Sequence, residues 1–266
     1  MRLYLILLTI ITAHLIHAQT SVVVLGTTQD AGSPQLGCTK ECCKNLFTKP
    51  DQTRKVVSLG LYDPNKKISY LFEATPDIGK QLRLLKAYSR TTTDLPNGIF
   101  LTHAHIGHYT GLMYLGKEAL NTKELPVYSM PKMKSFLEQN GPWSQLVNQQ
   151  NILINPLSDN QVISLSDSLS VTPILVPHRD EYLETVGYLI SGPSKKLLFI
   201  PDIDKWEKWS QNINTIITKV DYALIDATFY NSAEVNNRAI SEIPHPLVIE
   251  CLEKFKYLPK EEKKKI

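Results

Sequence analysis

Thr102-His103-Ala104-His105-Ile106-Gly107-His108 directly follows Gly98-Ile99-Phe100-Leu101, a short apolar run bounded by Pro96 and Asn97. A run of that length with those turn residues reads as a buried strand. If the chain stays extended through His105, residues two apart point the same way, and His103 and His105 face one ion. Gly107 reads as the place where the chain turns. His108 then opens a helix-like segment, residues 109–115, within reach of the same cavity. Neutral imidazole is a preferred ligand of zinc and of other borderline first-row metals. The clustering itself is informative. Of the 7 histidines, His14 and His17 lie in an apolar N-terminal stretch, and His103, His105, His108 and His178 are four of the remaining five. His178 follows a second strand-like run, residues 171–176, as Pro177-His178.

Thr-His-Ala-His-Ile-Gly-His resembles the His-x-His-x-Asp-His signature of the metallo-β-lactamase superfamily, with Gly107 where the aspartate normally stands. Other segments follow in the superfamily's order. Leu25-Gly26-Thr27-Thr28-Gln29-Asp30-Ala31-Gly32-Ser33-Pro34-Gln35 is similar to the opening loop of its phosphodiesterase and pyrroloquinoline-quinone-biosynthesis-protein-B branches. Pro177-His178 matches the next ligand position, and Phe199-Ile200-Pro201-Asp202 resembles the strand end that carries a bridging carboxylate. Asp226-Ala227-Thr228-Phe229 resembles a further motif of phosphodiesterase-type members. The likeness runs from about Val22 to the C-terminal end and is nearest to the quinone-biosynthesis-B-like group.

The resemblance implies an α/β (α+β) fold, an αββα sandwich of two mixed β-sheets flanked by helices. It implies that His103, His105, His108, His178 and Asp202 are both the metal ligands and the catalytic set. The cofactor expected is zinc, one or two ions, with iron or manganese as alternatives. In the superfamily the aspartate at position 107 ligates the second ion and assists proton transfer, and glycine does neither. A second ion here must be weaker or find another carboxylate, with Asp30, Asp77, Asp204 and Asp226 as candidates. Superfamily members also supply a histidine after the last helix, whereas this chain has none after His245. Either that ligand is lacking or the chain is truncated. Asp226, ending a strand, reads as a ligand or as a support for one. His245, in Pro244-His245-Pro246, reads first as a structural loop histidine beside a helix start and second as one that its rigid setting aims at the site. Glu73, ending an earlier strand, is a weaker candidate.

Around this site the chain of 266 residues, with 42% apolar and 21% charged residues, has ordinary globular composition and no internal break. One domain is expected, residues 19–266, behind a leader at 1–18. Met1-Arg2, the apolar stretch from Leu3 to Ile16, and small Ala18 have the order of a secretory signal. The stretch is shorter than the roughly 20 apolar residues that span a bilayer. A periplasmic or secreted protein follows, without stable membrane insertion once the leader is removed. Cys38, Cys42 and Cys43 sit together; a disulfide and a structural zinc both fit their spacing, the oxidising compartment favouring the bridge and the resemblance the metal. Cys251 falls in a helical apolar pattern and reads as a core residue.

The pattern predicts strands at 22–25, 56–62, 70–72, 186–190, 197–201 and 222–225. It also predicts a helix capped by Thr75 with Pro76 first and a buried stripe of Ile78, Leu82, Leu85 and Tyr88. Asp204 and Glu207 read as a capping pair for a helix through Trp206 and Trp209. The terminal lysines read as a solvated helix end.

Three functions fit these residues. One is an exported metal-dependent hydrolase of an ester, phosphodiester or lactone; metals of this kind bring a bound water to a pKa of about 7. Another is a role like that of the quinone-biosynthesis-B group, with iron and oxygen chemistry. The third is a metal-binding protein without turnover. The substrate expected is a small molecule. Nucleic acid is not, since a net charge of +3 without a basic stripe leaves no phosphate footprint. Nothing in the sequence sets the oligomeric state.

Overall fold

The computed structural model describes residues 20–179, 182–235 and 239–266. The leader expected at 1–18 lies outside them. Eleven strands form two sheets among the described residues. The first holds β1 (Ser21–Gly26), β2 (Ser58–Asp63), β3 (Ile68–Phe72), β4 (Gly98–Phe100), β5 (Leu125–Ser129) and β6 (Ile152–Pro156), in that spatial order. The β1–β2 and β2–β3 pairs are antiparallel, and β3 to β6 run parallel. The second holds β7 (Ile163–Ser166), β8 (Leu169–Val176), β9 (Thr185–Ser191), β10 (Lys196–Ile200) and β11 (Tyr222–Ile225). There only β10 and β11 pair in parallel.

Both sheets are therefore mixed, and three apolar layers explain how they stack. Leu59, Leu61, Phe72 and Phe100 from the first sheet meet Val171, Val186, Tyr188 and Phe199 from the second, closing the sandwich. On the first sheet's outer face, Leu71, Ile99 and Val127 pack against Ile78, Leu82 and Leu85 of the helix Ile78–Ser89 and against Leu112 and Leu115. On the second sheet's outer face, Ile174, Leu198 and Ile200 pack against Trp206, Ile213 and Phe255. This is the helix–sheet–sheet–helix order the resemblance implied. Among the described residues no helix is long and apolar enough to cross a membrane.

Several local expectations are corrected. The first long helix starts at Ile78 rather than at Pro76. Thr75 Oγ1 accepts the Asp77 N–H at 3.0 Å, and Asp77 Oδ2 accepts the Val56 N–H at 3.1 Å, so residues 75–77 form a turn that leads in. Tyr88 is exposed, and Gln81 and Ser89 complete the buried face instead. Asp204 caps no helix. Its backbone N–H goes to Pro177 O at 2.7 Å and its carboxylate to Lys208 at 2.6 Å, leaving a single 3-10 turn at Trp206–Lys208. Trp206 and Trp209 are nonetheless buried, as core residues of the outer layer.

One bond spans the two sheets beside the histidine loop: the Tyr188 hydroxyl, fully buried in β9, donates to Leu101 O just after β4. Tyr188→Phe leaves that carbonyl without the donor, and a loss of about 1–3 kcal/mol is expected by urea unfolding. A change under a few tenths would show that the bond contributes nothing to folding.

Candidate metal centre

Every candidate ligand follows the carboxyl end of a strand. His103 and His105 come after β4, Glu73 after β3 and Asp30 after β1, and these three strands share one direction. His178 follows β8, Asp202 follows β10 and Asp226 follows β11, which likewise share a direction. Loops at the carboxyl ends of parallel strands are a usual place for a site. Backbone bonds lock these loops together: Asp204 N to Pro177 O at 2.7 Å, Val186 N to Thr102 O at 3.2 Å, and Glu73 N to Phe100 O at 2.9 Å. Gly111 allows a further close approach, since a Cβ there would stand 2.1 Å from Thr75 O.

His103, His105, His178 and Asp202 converge, so the two distant stretches of chain meet. His103 Nε2 lies 3.0 Å from His105 Nδ1 and 3.1 Å from Asp202 Oδ2, and His178 Nε2 lies 3.2 Å from His105 Nδ1. Nδ1 of His105 carries either one proton or one lone pair, so it completes a hydrogen bond with one neighbour only. A cation between the rings resolves that conflict. Donors at 2.0–2.1 Å around one tetrahedral zinc stand about 3.3 Å apart, close to what is seen. Pairing of His103 Nδ1 with Thr102 Oγ1 at 2.8 Å leaves Nε2 to face the centre. Burial brings the His103 imidazole down to about 3 and that of His178 to about 4, so both are neutral, as ligands must be.

His108, fully buried, stands on the other side of Asp202. Its Nε2 is 2.9 Å from Asp202 Oδ2 and 2.9 Å from Asp30 Oδ1, and its Nδ1 is 3.4 Å from Glu73 Oε2. Burial alone pulls this imidazole down, but the charges of Asp202 and Glu73 outweigh it and hold it well above the ordinary histidine range, so a cation bound here must displace a proton. Burial raises the Asp202 carboxyl, yet the His108 charge and hydrogen bonds from both rings keep it well below the usual carboxylate range. Asp202 Oδ2 thus sits between two donor sets.

Of the four carboxylates proposed to replace an aspartate at 107, Asp30 and Asp226 reach the site. Asp77 and Asp204 have partners elsewhere. Asp226 Oδ2 lies 2.7 Å from His245 Nδ1, and the two group with Asp202. The His245 ring is 5.2 Å from that of His178. Burial lowers the His245 imidazole, and the hydrogen bond and charge of Asp226 more than offset it. A late histidine does stand at the site, before the last long helix rather than after it. Gly107 is not the expected turn residue either; it lies within the short helix Ile106–Tyr109, without a left-handed backbone.

A cavity of about 710 Å³ opens over these groups, with Phe136, Tyr182, Phe229 and Arg179 on its wall beside His105, Asp202 and His245. Away from it, Cys38, Cys42 and Cys43 are free thiols with their sulfurs close together, Cys42 and Cys43 at 3.8 Å. Two thiolates on one zinc, each at 2.3 Å, stand about 3.8 Å apart, whereas a disulfide measures about 2.05 Å.

The model of one family, the beta-lactamase superfamily domain, matches residues 69–264. Among solved structures, Zn(2+)-bound PqqB from Methylobacterium extorquens superposes with a TM-score of 0.69, at 20% identity over 85% of this chain and 81% of that one. A diphosphatase from the PhnP family gives 0.64, at 16% identity over 91% and 83%. Human tRNase Z, short form, gives 0.55, at 14% identity over 88% and 87%. Identities this low establish a common fold and nothing finer. A search of curated proteins finds no match.

Proposed function

Because the chain belongs to the beta-lactamase superfamily domain family, we propose that it is a metal-dependent hydrolase of an ester, phosphodiester or lactone. One observation carries this reading: three imidazole nitrogens and Asp202 Oδ2 crowd together at 3.0–3.2 Å in an order that protons alone do not satisfy. His103, His105 and His178 would hold zinc with a position left open, and Asp202 would stand shared between it and His108. When bound there, zinc lowers the pKa of a coordinated water to about 7 and so supplies a nucleophile at neutral pH.

The protein's own groups do the rest. Arg179 on the cavity wall offers a positive charge to an anionic group of the substrate, while Phe136, Tyr182 and Phe229 receive its apolar part. His245, held by Asp226 at 2.7 Å, gives a hydrogen bond beside the reacting position. Asp202 and Glu73 fix the His103 and His108 rings from behind and between. The three clustered thiols read in the same way as a structural zinc site. The apolar stretch from Leu3 to Ile16 supports export to the periplasm or beyond.

The test is metal removal. After dialysis against a chelator, hydrolysis of chromogenic phosphodiester, ester and lactone substrates is expected to vanish for at least one class that the loaded protein turns over, and to return with zinc. A zinc-loaded protein inert toward all three classes overturns the reading and leaves a binding protein.

A further inference from the structure

A Cβ built on Gly107 would stand 2.6 Å from the Cα of Asp30, 2.7 Å from its Oδ1 and 2.9 Å from its Cγ. No real side chain tolerates that approach, so the space belonging to residue 107 is filled by the backbone and carboxylate of another residue. The intruder comes from 77 positions earlier in the chain, on the loop after β1. That loop is held firmly: Thr27 N and Thr28 N both donate to Lys55 O at 3.0 and 2.9 Å, Val57 N donates to Thr28 O at 2.9 Å, and Gly32 N donates to Gln29 O at 2.9 Å.

We propose that Asp30 is a metal ligand standing in space for the aspartate that position 107 lacks, so that Asp30, His108 and Asp202 form a second divalent-cation site. The geometry is that of donors around one ion. Asp30 Oδ1 and Asp202 Oδ2 each lie 2.9 Å from His108 Nε2. Ligand atoms at 2.0–2.2 Å from a shared cation, set at right angles, stand about 3 Å apart. Glu73 faces the other ring nitrogen at 3.4 Å, the arrangement that fixes a ligating histidine from behind. Asp226 is the weaker alternative, because its two oxygens already accept from Ile203 N, Thr228 N, Thr228 Oγ1 and His245. Gly107 and Asp30 are thus one feature. Glycine is required at 107 because the Asp30 loop, backbone as well as carboxylate, takes the space of its side chain.

This inference rests on the reading of the His103 cluster as a metal centre, and one experiment separates the two. Metal-free full-length protein is titrated with Co²⁺ and with Zn²⁺, and bound ions are counted, with Co²⁺ absorption as a second readout. The unaltered protein is expected to bind two ions at the histidine sites, counted against a background in which the three clustered cysteines are replaced by serine. Asp30→Asn, which keeps the shape and a hydrogen bond to His108, is expected to bind the second ion at least about 100-fold more weakly. Asp30→Ala should do the same. Far-ultraviolet spectra and melting curves confirm that each variant is folded. Two ions bound equally well by both Asp30 variants, or a single ion bound with or without Asp30, overturns the assignment while leaving the first site intact. No ion bound at the histidine sites in any protein overturns the metal-centre reading itself.

Discussion

His178→Ala is expected to lower both zinc affinity and turnover by more than about a thousandfold, since the proposed centre loses one of its three imidazoles. The residue is 7% exposed and follows a strand of a different sheet from the one that carries His103 and His105. His245→Ala is the informative companion. Its ring lies 5.2 Å from that of His178, but Nδ1 is engaged with Asp226, and a loss of only about 10–100-fold is expected. Elemental analysis and steady-state kinetics on both variants check the order. Equal and small effects would show that residue 178 holds no metal.

Phe100→Ala is expected to cost about 3–5 kcal/mol and to lower the melting temperature by roughly 6–20 °C. Phe100 is fully buried at the middle of the sandwich. Its ring stacks on Tyr128 at 4.3 Å and on Phe72 at 5.0 Å, and meets Tyr188 edge-on at 5.6 Å. Alanine leaves a cavity bordered by three large rings that cannot collapse together, because each is fixed to its own strand. Phe100→Leu, which fills most of the volume, should cost much less. Urea unfolding with an unchanged dependence on denaturant distinguishes lost packing from a changed unfolded state. A loss below about 1 kcal/mol would contradict the central place given to this ring.

What the sequence disclosed was whatever is local. His103, His105 and His108 lie within six residues, and the extended backbone up to His105 sets two of them on one side. His178 and Asp202 were legible because each ends a run whose strand character is plain. Asp30 was not separable from Asp77 or Asp204, since no local pattern tells which loop crosses a distant glycine. Its signal was the glycine itself, a ligand position without a ligand. His245 was undervalued for a related reason: its meaning depends on Asp226, 19 positions earlier, and on the loop that carries both. Propensity failed at the ends of elements. Thr75 and Asp77 spend their side chains on a turn and on Val56 N, and Asp204 spends its N–H on Pro177 O, so capping signals were diverted by tertiary bonds.

The Tyr188 bond to Leu101 O ties two layers that each carry half of the proposed chelate. Thickness of the sandwich is therefore also the bite of the chelate: when the layers slide, the donor atoms part, and an ion seated between them acts as a rivet against shear. Occupancy and mechanical rigidity rise together in such an arrangement, and a methylene gained or lost deep between the layers retunes which cation fits.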